Sequence, residues 1–386
     1  MGASEFFWEL LMLWMRKGYQ RVQYGLLSIV QMSVAAGLAY FVALDFLHHT
    51  KPFFAPMAAI IMLGLNSGNR LKKAVELSIG CSLGVGLGDF LIYGIGSGYW
   101  QLALAVFISL FLATFLSSSQ LLINQVAIGS ILISTIMPPG SAAATDRMID
   151  AFIGCGFGIL TMALLPHSPL AEGRREVAKV LTMASEALTQ VSTAMRTGDV
   201  DGIREALRQA RGSQAAINAM IAAAKSGQEE VAVSPFLWSS KARVRSFVRI
   251  LHPVDNAMRN TRVLARRAQV LIEDGDEVSE AQIQLIDDLV TVTSAVAAIY
   301  DRRGAASEAA EIPELVRTLQ TMAARAGLSV AEGKVLSAQV VLAQTRSIIV
   351  DLLQVCGMSR ASAVASLALT SESPAYPSEI RDDPNH

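Results

Sequence analysis

Residues 66–73 read Asn-Ser-Gly-Asn-Arg-Leu-Lys-Lys, a polar, basic turn between two apolar runs. Asn66, Arg70, Lys72 and Lys73 there supply fixed positive charge and hydrogen bonds that suit an anion. The turn equally suits an ordinary helical hairpin whose cations sit among lipid headgroups. Asp89 interrupts the apolar run after the turn. A lone carboxylate at membrane depth is costly, and it can become neutral by taking a proton, which is how a proton-coupled carrier would use it. The alternative is a cap or pair near the outer interface, since Tyr93 and Gly94 lie within about a turn of it. His48 and Lys51, with His49, make a positively biased outer mouth. Two adjacent histidines on a helix cannot both face one metal, and Asp45 alone adds little, so no metal site is expected. Cys81, Cys155 and Cys356 have neither metal-ligand nor disulfide spacing and read as buried thiols.

Enzymatic chemistry finds no support. The chain has no Gly-rich loop ending in Lys-Ser/Thr, no Gly-x-Ser-x-Gly elbow and no Cys/His nucleophile pairing. We therefore expect neither an enzyme nor a cofactor, and no ATP hydrolysis within the chain.

The elements that would position these residues divide into two classes. Of 386 residues, 52% are hydrophobic and only 17% charged, against about a quarter charged in a soluble domain. The deficit is concentrated in residues 22–165, and nearly all later sequence is polar and helix-like. Six apolar runs are expected as helices, because lipid leaves backbone groups no other partner. They cover about residues 25–44, 53–65, 74–95, 100–116, 121–137 and 148–165. The second run would reach only ~20 Å as a helix, short of the ~30 Å hydrocarbon core. Residues 1–21 have aromatics and then Arg16, Lys17 and Arg21, as in an amphipathic helix lying on the membrane face. Basic residues concentrate at 16–21, 70–73 and 174–179, against Lys51 and Arg147 on the opposite side. That bias places both termini and the 66–73 turn in the cytoplasm. A net charge of −1 gives no reason to expect nucleic acid as a partner.

Gly80, Gly84 and Gly88, with Gly86, and then Gly154, Gly156 and Gly158 allow close helix approach. Their role is tight packing or a narrow face that leaves a passage. After Pro166 and Pro169, helix patterns predict a packed cytoplasmic bundle over residues 169–358, with Pro253 kinking or splitting one member. Arg243, Arg245, Arg249, Arg259, Arg262, Arg266 and Arg267 read as a solvated face or as a ligand-sensing or lipid-facing basic surface. Residues 359–386 are expected to be a disordered tail. The fold class is thus all-α, with a six-span membrane domain over 22–168 ahead of the bundle.

Phe54-Ala55-Pro56, the 66–70 turn, and Ala74 with Gly80 and Gly84 resemble the fusaric acid resistance and aromatic acid exporter superfamily. Plant aluminium-activated malate transporters are similar in plan. Residues 344–353 are similar to the last cytosolic helix of actinobacterial members. The resemblance covers roughly residues 22–360. It implies efflux or passage of organic anions, often aromatic carboxylates. Without an ATP-binding loop a gradient is the expected energy source, and the bacterial cytoplasmic membrane is the expected location. The resemblance also implies a homodimer, because many members carry two six-span units where this chain has one. The family's arginine near Gly80 is missing here, where Glu76 stands instead. That shifts weight to Arg70, Lys72 and Lys73. An organic-anion channel and a membrane-anchored scaffold for envelope assembly are the alternatives.

Overall fold

The computed structural model describes residues 3–49, 52–64, 70–96, 98–136, 143–164, 170–302, 305–373 and 376. Every regular element among them is helical. The chain forms two compact units, Met1–His167 with Glu229–Ser239, and Ser168–Gln228 with Ser240–His386.

The first unit contains α1 (Ala3–Phe41), α2 (Phe54–Gly64), α3 (Arg70–Ile95), α4 (Tyr99–Leu116), α5 (Gln120–Ile136) and α6 (Ala143–Leu164). The six expected apolar runs are thus six helices. Residues 25–46, 75–95 and 99–116 have the length and apolarity to cross a membrane alone, while α2 and the apolar parts of α5 and α6 are shorter. At eleven residues, α2 is only ~17 Å long. The interfacial segment expected at 1–21 and the first apolar run share one continuous helix, α1.

Small residues hold this unit together. A Cβ at Gly80 would lie 2.9 Å from the Leu122 carbonyl oxygen, one at Gly84 would run into the Val126 carbonyl, and one at Gly88 would lie 3.0 Å from Ser130 Cα. Both sequences advance by four at each contact, so α3 and α5 run parallel with backbones in close approach. Gly154 and Gly158 likewise sit against Ala55, Ala58 and Met62, pairing α6 with α2 in the same sense. Ala35, Ala39 and Ala43 complete the stripe from the α1 side against Ala55 and Ala59. These glycines are packing residues. Gly86 and Gly156 face open space, and the large apolar side chains Phe107, Phe111 and Phe115 of α4 point outward. Such a surface suits lipid rather than water. From the segment 229–239, the Ser234 hydroxyl donates to the Ala163 carbonyl at 2.7 Å, satisfying a C-terminal carbonyl of α6.

The second unit is a bundle of α7 (Ala171–Thr197), α8 (Val200–Arg211), most of α9 (Gln214–Val233), α10 (Lys241–Glu273), α11 (Glu280–Asp301), α12 (Ala305–Arg325), α13 (Leu336–Val355) and α14 (Arg360–Ala365). Leu181, Leu188, Ile203, Met258, Ile286 and Ile349 lie in its fully buried core. Left-handed Gly198 ends α7, and the Asp199 carboxylate then accepts from the backbone N–H groups of Asp201 and Gly202 to start α8. α8 and α9 are separated at Gly212-Ser213, where the Ser213 hydroxyl donates to the Ala210 carbonyl. Of the two outcomes expected at Pro253 the split is absent, since α10 runs through it. One feature differs from the sequence expectation: the start of the expected tail is ordered onto the bundle. Ser359 caps α14, Ala363 is fully buried, and Arg346 donates to the Ala326 and Ala368 carbonyls. Residues 374, 375 and 377–386 of that tail lie outside the described residues.

Asp351 is a buried acid in this core, accepting from Asn260 Nδ2 at 2.7 Å. Burial pushes its pKa up to about 6, against smaller downward pulls from Asn260 and Arg360. The folded state therefore holds this proton more tightly than the unfolded chain, where an aspartate titrates near ~3.9. The stabilising contribution of the neutral acid is present below about pH 4 and is lost as pH rises through about 6. Thermal unfolding measured across that window should lose on the order of 2 kcal/mol, and Asp351→Asn should flatten the slope. In the first unit, Gly84→Leu should cost about 3 kcal/mol or prevent folding, and Gly86→Ala should leave the unfolding midpoint unchanged.

Candidate functional site

The end of α1 is wound wide, with a π-helical turn over Val42–Phe46. Such a turn inserts an extra residue and re-aims the chain beyond it. The Leu47 N–H still donates to the Val42 carbonyl and the His49 N–H to the Ala43 carbonyl. Between them His48 takes φ +58°, a left-handed conformation that few non-glycine residues adopt. The reversal sends His48 outward and His49 inward, where only 8% of it is exposed.

His49 meets the first turns of α6. Its Nδ1 is hydrogen-bonded with Asp150 Oδ1 at 2.7 Å, and its Nε2 lies 3.6 Å from Asp146 Oδ1. The three side chains form a gradient of burial. The Asp146 side chain is 38% exposed, while those of His49 and Asp150 are buried. Asp150 is thus within hydrogen-bond reach of one ring nitrogen, and Asp146 is a longer electrostatic neighbour of the other. Arg147, one residue along α6, is only 4% exposed, with its guanidinium carbon 5.9 Å from the centre of the Phe54 ring. Its Nη1 has no hydrogen-bond partner among the described residues. A buried donor left unpaired costs about 1–3 kcal/mol or more when charged. The cluster therefore places a cation with spare hydrogen-bonding capacity beside an aromatic face, next to a His–Asp pair.

The residues singled out from sequence are placed differently. Asn66 and Lys51 lie outside the described residues. Arg70, Lys72 and Lys73 share the first turn of α3. Lys72 is largely exposed and 3.7 Å from Glu76, whose other oxygen accepts from the Ser119 hydroxyl at 2.6 Å. Lys73 is half-buried. Asp89 is half-buried near the far end of α3, ~25 Å along the helix from Lys72. His48 is exposed, and its neighbour His49 makes the buried contacts.

Asp89 reads in the sequence as the one acid well inside a span, although Asp150 lies inside the sixth apolar run. Asp150 is 1% exposed, so the sequence pattern misses the more deeply buried acid of the two. The signal is present as Asp146 and Asp150 four apart, which puts both on one helix face with Arg147 beside them. The loop position that the charge bias gives Arg147 is corrected too, since it lies within α6 and is buried. Among the described residues no three His, Cys, Asp or Glu side chains form a metal-binding group.

Residues 37–161 match the model of the fusaric acid resistance protein-like family. An uncharacterised protein of Corynebacterium glutamicum is 53% identical over 369 residues, which is 96% of this chain and 95% of that protein. A Mycobacterium tuberculosis protein named "Putative arylamide transporter" is 31% identical over 183 residues, covering 45% of this chain and 51% of the relative. A Mycobacterium bovis protein of the same name matches equally, so this chain spans about half the length of those two relatives.

Removing one member of the buried pair leaves the other uncompensated, which typically costs about 3–5 kcal/mol. Asp150→Ala should therefore lower the unfolding midpoint of the detergent-solubilised protein sharply. Asp150→Asn keeps an acceptor for His49 and should recover most of the loss, and Lys72→Ala should leave stability unchanged.

Proposed function

The chain belongs to the fusaric acid resistance protein-like family, and from that premise we propose that it is a multi-pass membrane transporter exporting small organic anions with an aromatic body. The observation that carries this reading is the buried Arg147 beside Phe54, with an unpaired guanidinium nitrogen inside a unit of apolar helices. A membrane unit that served only as an anchor has no use for that cost. A guanidinium matches a carboxylate through paired N–H donors, and the Phe54 ring matches an aromatic body.

In the proposed arrangement both termini are cytoplasmic, the protein lies in the bacterial inner membrane, and two copies assemble. Arg70, Lys72 and Lys73, with Asn66, attract the anion at the cytosolic mouth. His48 and Lys51 belong to the outer mouth. Transport is driven by a gradient rather than by ATP. Coupling to protons is assigned to Asp89 and to the chain Asp146–His49–Asp150, which leads from a half-exposed carboxylate to a buried one. The name of the mycobacterial relatives favours a second cargo, a neutral arylamide, which would share the aromatic contact and use hydrogen bonds in place of an ion pair.

Proteoliposomes loaded with radiolabelled phthalate, a dicarboxylate that crosses bare lipid slowly, test the reading directly. Efflux should exceed that of protein-free vesicles and rise with a pH gradient. Lys72→Ala should lower the flux several-fold. Asp89→Asn should remove the pH response while the protein remains folded. Flux no greater than from empty vesicles, for both phthalate and a labelled benzanilide, would remove transport from the account. Export of benzanilide alone would move the cargo to the amide class.

A further inference from the structure

The helical bundle contains a cavity of about 730 Å³ between α7, α10, α11 and the end of α13. Arg174 and Arg175 line it from α7, Arg243 from α10, and Arg302 from just beyond α11, against Asp301 as the one acid on its wall among the described residues. The remaining walls are apolar and include Phe247, Ile250, Ile312 and Val355. Cavities of ~300–1,000 Å³ with apolar walls and a few charged groups are the size and character of small-ligand sites.

Several contacts hold this shape. Arg174 donates from Nη2 to the Ile299 carbonyl at 2.8 Å, and its guanidinium carbon lies 5.3 Å from the centre of the Tyr300 ring. Burial lowers the Arg174 pKa, but a guanidinium stays charged. The Tyr300 hydroxyl donates to the Val355 carbonyl at 3.2 Å, so its ring is fixed as wall. Gly173 leaves room for Phe247, because a Cβ there would lie 2.7 Å from the ring. Burial pushes the Cys356 thiol up to about 12, which leaves it protonated and unreactive at neutral pH. The cavity is thus built for recognition and not for covalent chemistry.

We propose that this cavity binds an amphipathic organic acid, with its anionic group among Arg175, Arg243 and Arg174 and its apolar body against Phe247, Ile250 and Ile312. Two sources share that chemistry: a free aromatic or aliphatic acid and the headgroup end of an anionic lipid. The proposal does not rest on the transport reading, and either can fail without the other.

The test uses the full chain in phosphatidylcholine nanodiscs, titrated calorimetrically with 1-naphthoate and with the neutral naphthalene-1-carboxamide. Naphthoate should bind saturably and about tenfold or more tighter than the carboxamide, a difference of about 1.4 kcal/mol. Two variants act on this cavity by different means. Arg175→Gln with Arg243→Gln removes charge, and Ile312→Trp fills space. Each should abolish the preference while leaving the unfolding midpoint unchanged. Nanodiscs containing phosphatidylglycerol separate the sources. Weaker naphthoate binding there, in the wild type but not in the variants, assigns the site to the lipid headgroup, and unaltered binding assigns it to the free acid. No saturable preference in the wild type, or a preference that survives both variants, overturns the proposal.

Discussion

Close backbone contact between α3 and α5 is the constraint on which the membrane unit depends. Apolar side chains gain little by leaving lipid for one another, so helix association there draws on van der Waals contact at short range. Gly80, Gly84 and Gly88 against Leu122, Val126 and Ser130 provide that contact along the pair, and Gly154 and Gly158 repeat it between α6 and α2. The two parallel pairs, with the alanine stripe of α1, set the positions of α1, α2 and α6, and hence of every residue in the buried polar cluster.

That cluster arises from two local departures from regular helix. The wide turn at Val42–Phe46 and the left-handed His48 bring His49 under the start of α6. Asp150 and Arg147 are buried there because α6 begins its polar turns before the chain has left the packed region. The arrangement combines a satisfied His–Asp pair with an incompletely satisfied guanidinium. Buried polar groups in that condition are costly to keep, and their retention points to function more strongly than exposed charges such as Lys72 do.

The second unit shows how composition alone misleads. α11 and α13 are as long and apolar as membrane-crossing helices, yet half or more of each is buried inside the bundle. Their hydrophobicity is explained by the surrounding helices, not by lipid. In α4 the same apolarity faces outward, with Phe107, Phe111 and Phe115 exposed. Periodicity distinguishes the two cases only weakly when a helix is buried on most sides.

Helix type, the apolar runs, the change of character after residue 165 and the glycine spacing were all legible in the residues, because each comes from local preference or from backbone groups that lipid cannot satisfy. The family was legible too, through Phe54-Ala55-Pro56 and the turn after it. The pairing of His49 with Asp150 across 101 positions was not, nor was the setting of Arg147 against Phe54. The same holds for the docking of residues 359–368 onto the bundle and for the arginine-lined cavity. Those depend on which faces of distant helices meet, and a short-range pattern carries no record of that until the chain is packed.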